Sequence, residues 1–370
     1  MQFFLRPKIH LFDTCAAFCE EFQVGERDLI ITNAYIFAPY FGDLNLKCHL
    51  LYQENYGTGE PSDEMAEAIY ADIKDLDYDR IIAIGGGTVI DISKLFSLKY
   101  ISPILDLYDR KLPLEKEKQL VLVPTTCGTG SEVTNISVLE LKSRKTKLGL
   151  AADELFADSA VLIPELLSGL PFRVFATSSI DALIHAVESW LSPKSTDFTR
   201  IFAERAIEWI IRGYQDIQKN GQEARGAHLR DFMMASNYAG ISFSNAGTGA
   251  VHAMSYPLGA QFHIPHGESN YVLFTGVMDT YMRLDPTGRI TRLNELLAGL
   301  LGCEVGQVYP CLETLLNHIL QKKALHEYGV TEEHLLDFTE NVMTKQGRLM
   351  ANNYTPLTAE DVIAIYRKLY

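Results

Sequence analysis

Arg80-Ile-Ile-Ala-Ile-Gly-Gly-Gly-Thr88 runs straight into Val89-Ile-Asp-Ile-Ser-Lys94, a stretch that predicts a strand, a tight glycine turn and a helix in immediate succession. The β-branched run carries no alternating polar set, which suits a strand buried on both faces. Glycines let the backbone turn sharply and approach a ligand, and the unpaired N–H groups of the next helix then face an anion such as a pyrophosphate. The spacing is not that of GxGxxG, so a strand that simply ends in a turn, binding nothing, stays open as an alternative.

On either side the same texture repeats. Asp28–Asn33 and Gln119–Pro124 are strand-like, and Pro61–Ile73 has a capping Ser or Asp followed by apolar residues at helical spacing. Apolar strands alternating with helices predict an α/β, Rossmann-like nucleotide-binding domain with a parallel sheet, covering residues 1–165. A second loop, Val123-Pro-Thr125-Thr126-Cys127-Gly-Thr129-Gly-Ser-Glu132, also follows a strand and offers hydroxyls and glycine amides suited to phosphate and ribose oxygens. Two such loops at strand carboxyl ends fit a dinucleotide crevice better than one. Cys127 reads as a small packing residue.

Beyond Pro164 strand-like runs become scarce. Ile180–Leu191, Arg200–Tyr214 and Leu293–Leu301 show helical periodicity, so residues 166–370 are expected to form an all-α domain that packs on the first around a cleft. A length of 370 residues agrees with two domains at roughly 100–200 residues each.

With 47% hydrophobic and 22% charged residues the chain is of ordinary globular composition, which excludes disorder. A net charge of −14 argues against a nucleic-acid partner, because phosphates have to be neutralised. The densest basic stretch, Lys142-Ser-Arg144-Lys145-Thr-Lys147, reads as a solvated turn. Six cysteines without a CxxC imply reduced thiols. No window approaches the roughly 18 apolar residues of a membrane helix, and the first residues lack a signal-peptide pattern, so a soluble cytoplasmic protein is expected.

The chemistry concentrates in two later segments. Asp181-Ala-Leu-Ile-His185-Ala-Val-Glu188 puts Asp181 and His185 four residues apart on one helical face, a pair that alone is more often a polar stripe in water. Farther on, Gly247 to Gly267 contains His252 among small apolar residues and His266 between Pro265 and Gly267; His263 reads as an exposed loop residue. One carboxylate and three neutral imidazoles suit Fe²⁺ or Zn²⁺.

Taken together, GGGT (85–88), PTTCGTGSE (124–132), DALIHAVE (181–188) and HAMSYPLGAQFHIPHG (252–267) resemble the iron-containing (group III) alcohol dehydrogenases over nearly the whole chain. Within them, YGTGEPSDEM (56–65), SNYAGISFSNAG (236–247) and the final IYRKLY are most similar to the NAD-dependent 4-hydroxybutyrate dehydrogenases. The resemblance implies a dehydroquinate synthase-like fold, a metal in the cleft held by Asp181, His185, His252 and His266, and a homodimer. It places the dinucleotide on Gly86, Gly87 and Thr88, with Thr125, Thr126 and Thr129 on the ribose and nicotinamide side and Lys147 reaching the nicotinamide ribose. The substrate implied is a short ω-hydroxy acid, 4-hydroxybutyrate, interconverted with succinate semialdehyde, and its carboxylate needs a partner for which Arg144, Arg173 and Arg348 are available. Rival readings are a primary alcohol or diol dehydrogenase with an uncharged pocket, a dehydroquinate-synthase-type sugar-phosphate lyase, and a nucleotide-binding protein without catalysis.

Three positions depart from the family pattern. Tyr256 stands where most members carry a second histidine used as a proton relay; a phenol of ordinary pKa near 10 is a poor base at neutral pH, so Tyr256 is expected to shape the pocket while water carries the proton. Asn33 replaces the aspartate that usually ends the second strand and repels the extra phosphate of NADP. Glu60-Pro61 replaces an Asn-Pro, which makes Glu60 either a compensating acid or part of a helix-entry turn.

Overall fold

The computed structural model describes residues 2–144 and 146–370; Lys145 of the basic run lies outside them. It divides into two compact units, one spanning Leu5–Leu170, the other Pro171–Tyr370 joined by the N-terminal residues through Phe4. The division thus falls at Leu170/Pro171 rather than 165/166, because Pro164–Leu167 forms a 3₁₀ turn whose Leu166 packs into the first unit's core.

The first unit is built on strands β1 (Lys8–Leu11), β2 (Asp28–Thr32), β3 (His49–Tyr52), β4 (Arg80–Gly85), β5 (Gln119–Pro124) and β8 (Ser159–Leu162), with a hairpin of β6 (Ile136–Leu141) and β7 (Thr146–Ala151) between. The six strands form one parallel sheet in the order β1-β8-β5-β4-β2-β3. Helices α1 (Cys15–Glu21), α2 (Ala34–Phe41), α3 (Asp63–Ile73), α4 (Gly87–Phe96) and α5 (Ile104–Tyr108) connect them. Successive side chains of a strand point to opposite faces. Ile81 and Ala83 accordingly enter a core with Met65, Ile69 and Ile90, while Ile82 and Ile84 enter another with Phe18, Ile36 and Phe41. This two-sided burial is why β2, β4 and β5 read as continuous apolar runs. Ser62 caps α3 through its hydroxyl, which accepts the Met65 N–H at 3.2 Å. The antiparallel β6–β7 hairpin was not foreseen, since its strands interrupt their apolar residues with Ser137, Glu140, Lys147 and Gly149.

The second unit is helical: α6 (Phe172–Leu191), α7 (Asp197–Asn220), α8 (Leu229–Ala246), α9 (Ala250–Phe262), α10 (His266–Leu284), α11 (Arg289–Leu301), α12 (Val308–Ile319), α13 (Glu332–Lys345), α14 (Gly347–Met350) and α15 (Ala359–Leu369). Helix α6 is buried on nearly all sides from Phe175 to Leu191, so the polar groups it carries are held inside the bundle. Among the described residues, no helix is long and apolar enough to cross a membrane. All six cysteines are unbridged thiols, and Cys127 is fully buried.

Candidate functional site

In the helical unit, ligating atoms of Asp181, His185 and His252 all lie within 4.8 Å of one another, and all three residues are buried. Asp181 and His185 are one turn apart on α6; α9 brings in His252. His266, the first residue of α10, has Nε2 3.9 Å from Asp181 Oδ1 and a side chain 36% exposed, so it forms the open side of the group. The His185 ring is stacked between Phe243 (centroids 4.3 Å) and His252 (4.5 Å). Tyr256, half-buried one turn after His252, has its ring 6.2 Å from that of His266. His263 is exposed at the left-handed end of α9.

The close approach of α6 and α10 depends on Gly267. A Cβ there would lie 1.9 Å from the Thr177 carbonyl oxygen and 3.2 Å from Asp181 Cβ, so no larger residue fits without moving the helices.

Two positioning groups escaped the sequence reading. Glu188, buried on α6, accepts the N–H of Gly249 (3.0 Å) and Val251 (2.7 Å) and meets His252 Nδ1 at 2.5 Å. One carboxylate therefore satisfies the start of α9, which has no side-chain cap of its own, and fixes the imidazole. With Nδ1 tied to Glu188, Nε2 is the atom turned toward Asp181, at 3.6 Å; it is buried without a hydrogen-bond partner. Asn270 Nδ2 donates to Asp181 Oδ1 at 2.7 Å and lies 3.3 Å from His266 Nε2. The signals were there in spacing, Glu188 seven residues after Asp181 and Asn270 four after His266.

Burial alone would raise the Asp181 carboxyl, but the surrounding imidazoles of His185, His266 and His252 outweigh it and hold it well below the usual carboxylate range. Burial alone would lower the His252 imidazole, yet the Asp181 and Glu188 carboxylates push it up to about 9. The group thus favours a positive charge at its centre. A buried orphan imidazole nitrogen, an ionised carboxylate and two further imidazoles are a donor set that fits a divalent transition ion.

In the first unit the two loops predicted to hold a dinucleotide touch each other. Gly86 caps α4 and contributes no side chain to its first-turn N–H groups; Cβ atoms at Gly86 and Gly87 would meet Thr126 Cγ2 at 3.5 Å and Thr129 Cγ2 at 3.1 Å. The Thr125 N–H bonds the Gly85 carbonyl (3.0 Å), continuing the β4–β5 ladder into the loops. Thr88 donates its hydroxyl to the Gly59 carbonyl at 2.9 Å. Fully buried Lys94 on α4 ties the second loop to β6, with Nζ on Ser131 Oγ (2.5 Å), Thr134 Oγ1 (3.0 Å) and the Ile136 carbonyl (2.7 Å), and Asp91 3.3 Å away. Lys147 Nζ stands 3.5 Å from Glu60 Oε1. Asn33 follows β2 as the N-cap residue of α2 and is buried, its amide engaged with Gln53 and Glu54.

Of the arginines considered for a substrate carboxylate, Arg144 is paired with both oxygens of Asp109 (2.7 and 2.8 Å), and Arg173 donates to Glu268 (2.6 Å). Arg348 is exposed on α14.

The chain belongs to the iron-containing alcohol dehydrogenase family: residues 10–164 match the iron-containing alcohol dehydrogenase model, and residues 175–370 match that of the C-terminal part of the Fe-containing alcohol dehydrogenase family. Among its relatives is the 4-hydroxybutyrate dehydrogenase of Clostridium kluyveri, 50% identical over 366 residues and 99% of each chain. Long-chain-alcohol dehydrogenase 1 of Geobacillus thermodenitrificans is 37% identical over 321 residues, 84% of this chain and 80% of that one. In fold it is similar to an alcohol dehydrogenase from Oenococcus oeni (TM-score 0.86, 22% identity, all of both chains). The sulfoacetaldehyde reductase of Bifidobacterium kashiwanohense, solved in complex with NAD⁺, has a TM-score of 0.85 at 22% identity over 100% of this chain and 98% of that one.

Proposed function

We propose that this chain is an iron-dependent, NAD-linked oxidoreductase that interconverts 4-hydroxybutyrate and succinate semialdehyde. The observation that carries the reading is the 50% identity to a 4-hydroxybutyrate dehydrogenase along 99% of both chains. The Asp181–His185–His252 group adds the chemistry such a reaction needs.

Asp181, His185, His252 and His266 would hold the ion, and Gly86, Gly87, Thr88, Thr125, Thr126, Thr129, Asn33 and Lys147 the dinucleotide. When bound, the ion supplies Lewis-acid polarisation of the alcohol or carbonyl oxygen and the nicotinamide supplies or takes the hydride. Glu188 keeps His252 in the tautomer whose Nε2 is free to ligate, and Asn270 orients the Asp181 carboxylate. Tyr256 lines the wall beside His266, and water carries the proton of the reaction. A cytoplasmic homodimer acting on a small molecule completes the reading; it follows the family likeness and the six unbridged thiols, and sedimentation of the metal-loaded protein tests the dimer.

The engagement of Arg144 by Asp109 and of Arg173 by Glu268 favours one second reading, a primary alcohol or diol dehydrogenase with an uncharged substrate. The deciding assay is NADH oxidation with succinate semialdehyde and with butanal, before and after anaerobic iron loading. A steep preference for the semialdehyde, appearing with iron, is expected. Equal rates with butanal would establish the uncharged pocket, and the absence of net NADH consumption would point to lyase chemistry instead.

A further inference from the structure

The residue at the end of β2 is Asn33, and an amide in that place repels an added phosphate less than a carboxylate does. The structure nevertheless holds a carboxylate there. Register pairs Thr32 of β2 with Tyr52 of β3, so the two residues that follow Tyr52, Gln53 and Glu54, come level with Asn33 at the carboxyl edge of the sheet. Glu54 Oε2 accepts the Asn33 amide at 2.8 Å, and Glu54 Oε1 accepts the Ala34 N–H at 2.7 Å, on the first turn of α2. Gln53 Oε1 takes a second contact from the same amide (3.2 Å) and is itself anchored by donating to the Gly57 carbonyl (2.9 Å). Asn33 is 4% exposed and spends its donor group on these bonds, whereas Glu54 is half-buried. Parallel pairing puts the Gly85–Gly87 turn at the same edge, on the neighbouring strand β4.

We infer that Glu54, supplied by the strand next door, sets the preference of this chain for NAD over NADP by fixing a negative charge at the end of β2. In dinucleotide folds an acidic side chain near the glycine turn accepts the ribose hydroxyls, and the same charge opposes a phosphate esterified to them. Glu54 supplies the opposing charge from a new position in the chain: Asn33 is its holder, and the Ala34 N–H, which could otherwise meet a phosphate oxygen, is already taken. Glu60 is engaged elsewhere, with Lys147. The inference rests on the dinucleotide reading above and names the group that selects between the two cofactors.

The test is fluorescence titration of the metal-loaded full chain with NADH and NADPH, comparing wild type with Glu54→Gln and Glu54→Asp. Gln keeps an acceptor for the Ala34 N–H, and the Asn33 amide keeps Gln53 Oε1 as its acceptor, so the charge goes while an anchor remains on each side. Removing one like charge near a phosphate at protein-surface dielectric is expected to tighten NADPH about tenfold, with NADH changed by less than about threefold. Raising the salt should shrink the wild-type discrimination toward that of the Gln variant. Glu54→Asp keeps the charge and should keep the wild-type ratio within about threefold. An NADPH/NADH ratio that Glu54→Gln leaves within twofold of wild type overturns the inference while the dinucleotide reading stands, and so does an Asp variant that shifts the ratio as far as Gln. Wild-type protein that binds neither nucleotide overturns both.

Discussion

Replacing Glu188 by Gln tests whether a side chain outside the ion's reach governs the ion. Its carboxylate accepts from three groups, two backbone N–H and one imidazole nitrogen, all buried. A glutamine has one acceptor oxygen and one donor amide. If the oxygen serves Gly249 and His252, the amide points at the Val251 N–H; if it serves Val251, the amide drives His252 to the tautomer with its proton on Nε2. Either arrangement leaves one buried donor facing another, at a cost of roughly 1–3 kcal/mol. For a unit of about 200 residues that lowers the melting temperature of the metal-free protein by several degrees, at about 2–4 °C per kcal/mol. Loss of the orienting partner also weakens ion binding by roughly 10–100-fold. Both are read on one sample set: thermal melts of the apo protein, and metal content after dialysis against graded chelator. A Gln variant that melts several degrees lower yet retains iron as wild type does would refute the orienting role and leave Glu188 as a helix cap only. Retention of both properties would refute the whole account.

Three further outcomes follow from other parts of the molecule. Tyr256→Phe should leave kcat within about tenfold, because the ring that packs beside His266 is kept; a loss of several orders of magnitude with unchanged substrate binding, measured by steady-state and single-turnover kinetics, would make it the proton relay. Lys94→Met removes the buried bonds to Ser131, Thr134 and the Ile136 carbonyl and should destabilise the first unit by roughly 1–3 kcal/mol, seen in urea unfolding; an unchanged midpoint would show that Lys94 is not essential to that loop's anchorage. Burial alone would raise the Asp361 carboxyl at the start of α15, but the Thr358 N–H and hydroxyl and Arg283 more than offset it and lower it. A depressed folded-state pKa contributes stability above the ordinary value near 3.9 that is lost as pH falls through the lowered one. Asp361→Asn should therefore flatten the acid limb of stability against pH, and an unaltered limb would contradict the assignment.

Reading from the sequence succeeded where the signal is local. The strand β4, the glycine turn and α4 are contiguous, and Asp181 and His185 are one turn apart on one helix, so periodicity places them on one face while the family resemblance supplies their role. What escaped was partnership at long range. Glu188 meets a residue 64 positions away, and Lys94 meets hydroxyls about 40 positions on; no pattern in the chain relates such positions until the strands and helices are paired. Glu54 escaped for a different reason: its place beside Asn33 comes from strand register, which a parallel sheet does not reveal through any connecting turn. The arginines show the opposite error, in which suitable chemistry was visible but its consumption by Asp109 and Glu268 was not.

The contact at Gly267 has a consequence for which ions the protein accepts. Asp181 and His266 sit on two helices whose main chains touch, so the span between these donors is set by backbone against backbone instead of by swivelling side chains. A gauge built that way has little give. Ions of unequal radius are then sorted by how well they match a fixed aperture, and even the single methyl of Gly267→Ala would reset the calibration by wedging the two rods apart.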